Sequence, residues 1–165
     1  MSQHAEEWML ESVKKDALKE MRESVQSLPD REGGPSPSRP EGDYPKVYWL
    51  DSDTVAIDWF GQITEDKCRY ALAQLEELIL EHKPLHFFSD TSGATGYVPT
   101  IRRGAADILI RLRRSGVAEM VAVFSSPSIR MFAAAVAFVT GLKLQSFDHR
   151  DEALRQLAAR RRWEN

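Results

Sequence analysis

Cysteine is almost missing from this chain of 165 residues, with Cys68 the sole example. An internal disulfide is therefore impossible, and a zinc centre built on several thiolates is excluded. One free thiol fits a reducing compartment. Histidine is sparse as well: His4, His82, His86 and His149. His82 and His86 are near in sequence, but a helix end, Pro84 and a strand start fall across them, which is poor geometry for a shared metal. Long apolar runs are missing. The longest, residues 131–139, is about half of the ~20 residues that a membrane-spanning helix needs. Residues 1–7 are polar and acidic, unlike the charged-then-apolar opening of a secretory leader. These absences point to a cytoplasmic protein with no transmembrane segment.

Reactive motifs are missing too. Ser92-Gly93-Ala94-Thr95-Gly96 lacks the glycine spacing of a dinucleotide loop, and no Gly-Lys precedes a Ser or Thr to cradle phosphates. No Gly-x-Ser-x-Gly elbow occurs. Cys68 has no histidine beside it and falls on the apolar stripe of a helix, where a thiol acts as a small core residue. Asp51, Asp53 and Asp58 sit in and after a hairpin turn, where a solvated turn role accounts for them and a weak cation site is the other option. The sequence thus supplies no catalytic residue, no metal set and no cofactor site. The formal net charge is −3, so the whole molecule has no electrostatic reason to seek nucleic acid.

Charge is uneven along the chain. Residues 1–45 hold six Lys and Arg against ten Asp and Glu, whereas residues 46–165 hold sixteen against fifteen. In residues 1–28, Leu10, Val13, Ala17, Met21, Val25 and Leu28 recur at three- or four-residue steps, which predicts an amphipathic helix. Such a helix lies on its own domain or docks to a partner or to a second copy, a route to self-association. Residues 29–43 hold four prolines, three glycines and two serines without periodicity, and read as a flexible linker. A compact domain follows over residues 44–162.

Within that domain, residues 46–50 and 54–60 read as a hairpin around Asp51-Ser52-Asp53, with Gly61 ending the second strand. Thr64 caps a helix that opens on Glu65 and Asp66 and runs to His82. Residues 85–88 form a short strand buried on both faces, and residues 90–99 form a loop. Thr100 caps a helix over 101–114 that Gly116 terminates. A strand over 120–124, a helix over 129–140 with Ser126 or Ser128 as cap and Gly141 as terminator, a strand over 143–147 and a basic-ended helix complete the order β-β-α-β-α-β-α-β-α. That alternation is an α/β fold: a mostly parallel sheet of about five strands, an N-terminal hairpin and about four helices, plus the extra helix of residues 1–28. The helices should lie mainly on one face.

Three stretches carry a likeness: Thr54-Val-Ala-Ile-Asp-Trp-Phe-Gly61 leading into Ile63-Thr64-Glu65; Phe87-Phe88-Ser89-Asp90-Thr91-Ser92-Gly93; and Val121-Ala122-Val123-Phe124 through Phe147-Asp148-His149-Arg150-Asp151-Glu152-Ala153-Leu154. In order and spacing, over about residues 47–158, they resemble the STAS fold of anti-sigma-factor antagonists, in its SpoIIAA-like branch, which is also grouped with Sec14-type domains. The resemblance implies a non-enzymatic regulatory module with a protein partner such as a kinase-like regulator. It also implies a phosphorylation switch at a hydroxyl opening the helix after the third strand. Thr100 falls there, although Val98-Pro99-Thr100-Ile101 replaces the usual Asp-Ser-Ser-Gly. The Sec14 grouping implies the alternative, a domain that binds a small apolar ligand or lipid.

The rim at the carboxyl ends of a parallel sheet is where open α/β folds receive ligands and partners. The residues expected there are Asp90, Ser92, Tyr97, Thr100, Arg102 and Arg103, with Tyr97 as an amphipathic anchor. Arg111, Arg113, Arg114 and Arg130 extend the basic character. They form either a solvated face or a surface for an acidic partner. Residues 132–139 are apolar nearly all round and should be covered by the fold, a partner or lipid.

Overall fold

Asp51 closes the first turn. Its Oδ1 accepts the backbone N–H groups of Asp53 at 2.9 Å and Thr54 at 2.8 Å, a local bond that lets the chain reverse. The strands on either side pair antiparallel as β1 (Lys46–Trp49) and β2 (Thr54–Ile63). This is a computed structural model, and it describes residues 43–164. The helix expected over residues 1–28 and, apart from Asp43, the linker expected over residues 29–43 lie outside the described residues.

Thr64 accepts the N–H of Lys67 at 3.4 Å and opens α1 (Glu65–Glu81), with Glu65 and Asp66 in the first turn as the helix dipole favours. Next come β3 (His86–Tyr97), a 3₁₀ turn (Pro99–Ile101), α2 (Arg102–Ser115), β4 (Glu119–Val123), α3 (Pro127–Thr140), β5 (Lys143–Phe147) and α4 (Arg150–Glu164). The sheet order is β1-β2-β3-β4-β5, parallel from β2 onward. Strands that step one way through right-handed crossovers put their connecting helices on one face. The main core there joins Val55, Ile57, Phe87, Met120 and Ala122 of the sheet to Ala71, Leu75, Ile108, Leu112, Ile129 and Val136 of α1, α2 and α3. The last helix crosses over. Ala153 and Leu157 of α4 cover Ala56, Phe88, Val121 and Val123 on the opposite face.

Four sequence expectations are corrected. First, β3 does not stop near Phe88, and residues 90–97 are strand and not loop. Their Thr, Ser and Gly content reads as a turn, but β2 lends a pairing partner, and tertiary pairing overrides weak strand propensity. Second, Gly61 does not end β2. It sits inside the strand at φ +59°, next to one of two register irregularities, and the strand continues to Ile63. Third, Thr100 caps no helix, because Pro99 starts a 3₁₀ turn with Thr100 inside it and no side chain caps either start. Fourth, α3 begins at Pro127, and Ser126 stands at its cap position without a capping bond. Gly116 and Gly141 do end α2 and α3, at φ +115° and +76°.

Beyond Asp90, which is opposite Val123, β4 no longer accompanies β3. Only β2 does, from Phe60–Gly93 to Ile63–Tyr97. The result is a two-stranded parallel ribbon that overruns the sheet. Gly93 makes this approach possible: a Cβ there would lie 2.8 Å from Phe60 Cδ1 and 2.9 Å from the Trp59 carbonyl oxygen. Gly93→Ala should therefore cost about 1–3 kcal/mol in urea unfolding. Gly96→Ala, with nothing within 4 Å of the added carbon, should stay within about 0.5 kcal/mol of the parent.

Candidate functional site

The carboxyl end of the sheet gathers charge. Pairing of β2 with β3 sets Asp58 beside Asp90, and two adjacent carboxylates repel unless a cation joins them. Arg150 is that cation. It is the first residue of α4, where a positive charge opposes the helix dipole, so its position is set by the carboxylates. Its Nη1 donates to Asp90 Oδ2 at 2.6 Å and to Asp58 Oδ1 at 2.9 Å, and its Nη2 donates to the Tyr48 hydroxyl at 2.7 Å. Tyr48 in turn donates to Asp58 Oδ2 at 3.0 Å. The guanidinium also lies 5.2 Å from the centre of the Phe88 ring, within cation–π range. One arginine thus ties β1, β2, β3 and α4 together.

Asp90 is 5% exposed. Burial alone would raise its pKa, but bonds from Ser92 and from Arg150 outweigh this and hold the carboxyl below its usual range. Burial pushes the Tyr48 phenol up. Arg150 is lifted by its three acceptors despite its own desolvation. The cluster is a set of charges that satisfy one another. Cys68 is buried, and desolvation, with Glu65 and Asp107 nearby, pushes its thiol up to about 12, which leaves little thiolate to react. Among the described residues no three His, Cys, Asp or Glu side chains gather as metal ligands.

Around this cluster the expected site residues separate. Asp90 is inside. Ser92 is exposed, and its backbone N–H is fixed to Asp90 Oδ1 at 2.8 Å. Thr91 turns inward and donates to the Val123 carbonyl at 2.7 Å, and Ser125 donates to the Thr91 carbonyl at 3.3 Å. Tyr97 is half-buried at the end of the ribbon, stacked on Phe132 of α3 with ring centres 4.7 Å apart. Thr100, Arg102 and Arg103 are exposed where the 3₁₀ turn passes into α2. So the ribbon tip and the start of α2 carry Ser92, Thr100, Arg102 and Arg103 outward, while Asp90 and Tyr97 anchor the segment.

Sequence reasoning missed Tyr48 and Arg150, and it gave Asp58 a solvated turn role, whereas Asp58 is largely buried and bonded to both of them. Asp58 follows Ala56 on the alternating inward positions of β2 that α4 covers, and α4 opens on a basic residue. Only the register shows that these two oddities meet.

A model of the SpoIIAA-like family matches residues 54–158, more than half of the chain. The chain belongs to the SpoIIAA-like family. Solved structures agree at the level of fold. An uncharacterised protein with a SpoIIAA-like fold from Shewanella loihica is similar at TM-score 0.54 and 12% identity, over 73% of this chain and 98% of that one. The anti-sigma factor antagonist SpoIIAA in its unphosphorylated form gives 0.51 and 14%, over 69% and 97%. SpoIIAA of Bacillus in its phosphorylated form gives 0.50 and 15%, over 68% and 98%. A sequence comparison with curated proteins finds no match.

The network of this SpoIIAA-like sheet sets two expectations. Arg150→Ala should lower stability by about 1–3 kcal/mol near pH 7, because Asp90 is left buried without its cation. Since the folded pKa of Asp90 lies below its unfolded value, its contribution is present above pH ~4 and is lost as pH falls through the folded pKa. Asp90→Asn should therefore flatten the acid limb of a urea-midpoint profile below pH ~4.

Proposed function

We propose that this SpoIIAA-like chain is a regulatory module that acts by binding a protein partner and not by catalysis. The observation that carries the proposal is the overrunning β2–β3 ribbon beside the start of α2, which leaves Ser92, Thr100, Arg102 and Arg103 exposed on a rigid support. The polar groups beneath them are already bonded to one another, which suits an anchor more than a reaction centre. The partner touches Ser92, Thr100, Arg102 and Arg103 directly. Tyr97 and Asp90 hold that surface in place. A signalling regulator of the kinase-like class is the expected partner, because two of the structures similar in fold are of an anti-sigma factor antagonist.

Thr100 is the proposed switch. Its hydroxyl is exposed and uncommitted to capping, and Arg102 and Arg103 follow it directly. A phosphate adds about −1.5 to −2 charges and three acceptor oxygens, which arginines hold well.

Cross-linking with the full chain as bait, read by quantitative mass spectrometry, tests the proposal. A specific partner should be recovered, and the pair Arg102→Glu and Arg103→Glu should reduce its recovery about tenfold. Thr100→Glu should shift the affinity for that partner by about fivefold or more, while Thr100→Val leaves it near the parent value. Failure to recover a specific protein, or a partner indifferent to all of these changes, would count against the proposal.

A further inference from the structure

Helix α3 turns an apolar side to solvent. Ile129, Val136, Ala137 and Thr140 face the core. On the opposite side, Met131 is 76% and Phe138 63% exposed, and Ala134 and Ala135 between them are exposed too. These four positions form one stripe at steps of three, four and seven residues. Among the described residues, the core thus takes up one side of this helix. From Pro127 to Thr140 the helix has one charged residue, Arg130, and that residue pairs with Asp148.

The neighbouring helix supplies the second observation. Helix α2 holds Arg102, Arg103, Arg111, Arg113 and Arg114 against a single acid, Asp107. Opposite its buried Ile108, Leu112 and Ser115, helical spacing sets Ile110 and Arg114 outward in the C-terminal half of the helix. Arg113 reaches across to α3 and donates to the Thr140 carbonyl at 3.0 Å, so the two helices lie side by side. Arg102, Arg111 and Arg114 form no ion pair among the described residues. The outer surface of α2 and α3 therefore joins an arginine rail to an uncharged stripe, with small residues as a saddle between Met131 and Phe138.

We infer that this surface is a second docking site, separate from the ribbon tip, and that its occupant is an acidic amphipathic helix of a partner protein. Apolar residues of such a helix would lie over Ala134 and Ala135 between the Met131 and Phe138 ridges, and its carboxylates would meet Arg111 and Arg114, two to three turns beyond the ribbon-tip residues Arg102 and Arg103. A second copy of this chain is disfavoured as occupant, because the same rail would be brought against itself.

The test uses the full chain and a synthetic helical peptide with leucines on one face and glutamates on the other, followed by fluorescence anisotropy. Saturable binding is expected. Ala135→Glu and Arg114→Glu should each weaken it about tenfold, with circular dichroism verifying that both variants fold. Thr100→Glu should leave it unchanged, which separates this site from the ribbon tip. Absence of peptide binding, equal binding of the peptide with lysines for glutamates, or indifference to both substitutions would overturn the inference. So would preferential binding to vesicles containing phosphatidylglycerol, or a dimer in sedimentation velocity that Ala135→Glu abolishes.

Discussion

Most of this structure follows from how far β2 and β3 run together. The pairing begins at Thr54 with His86 and ends at Ile63 with Tyr97, well past the point where β4 leaves β3. Two consequences come directly. The overrun makes the ribbon, and the register sets Asp58 next to Asp90. Neighbouring strands lie ~4.8 Å apart, so these carboxylates need a shared cation. The last helix supplies it with its first residue, and that requirement fixes where α4 starts, against its own dipole preference. Once α4 starts there, it lies on the face away from the other three helices and closes the smaller core over Phe88 and Val123.

The ribbon would be a weak element alone, since two strands bury little surface. Ile63 and Ala94 tie it to the main core, and two further contacts hold it. Tyr97 stacks on Phe132, which links the tip to α3, and the Val98 N–H donates to the Ile63 carbonyl at 3.0 Å, which continues the pairing into the 3₁₀ turn. At the C-terminal end of α3, Arg113 occupies the space where a side chain at Gly141 would stand: a Cβ there would fall 1.7 Å from Arg113 Nη1. Glycine at that position therefore serves two purposes, a left-handed turn that ends α3 and room for an arginine that donates to the Thr140 carbonyl. The ribbon, α2 and α3 are joined by specific side chains, not by backbone pairing alone.

How much of this was legible in the sequence depends on the range of the signal. Apolar alternation and helix periodicity are local, and they give the strand and helix order, the Thr64 cap, the Gly116 and Gly141 stops and the last strand over residues 143–147. The Asp51 turn is local too. The ribbon was not legible, because Ser92-Gly93-Ala94-Thr95-Gly96 has the composition of a loop and becomes strand only against a partner some thirty residues earlier. The Arg150 cluster was not legible for the same reason: the other members precede Arg150 by 60 to 102 residues. Asp90 and Tyr97 were chosen as surface residues from their types and their loop setting. Loss of the loop setting moves both inward, whereas Ser92, Thr100, Arg102 and Arg103 remain outside.

The fold therefore treats its arginines in two ways, and the difference bears on function. Arg150 is partly exposed but bonded to two acids and a phenol, one of the acids buried, and a pair with a buried member is screened less by salt than an exposed one. Arg102, Arg111 and Arg114 meet no acid among the described residues, and exposed charges of this sort are screened over ~8 Å at physiological ionic strength. They add little to stability and keep their charge available to an incoming acidic surface. Ionic strength should therefore separate the two groups: fold stability changes little with salt where Arg150 governs it, while any association through the α2 arginines weakens as salt rises. A molecule whose stabilising charges are satisfied internally can present the remaining ones to a partner without destabilising its own sheet.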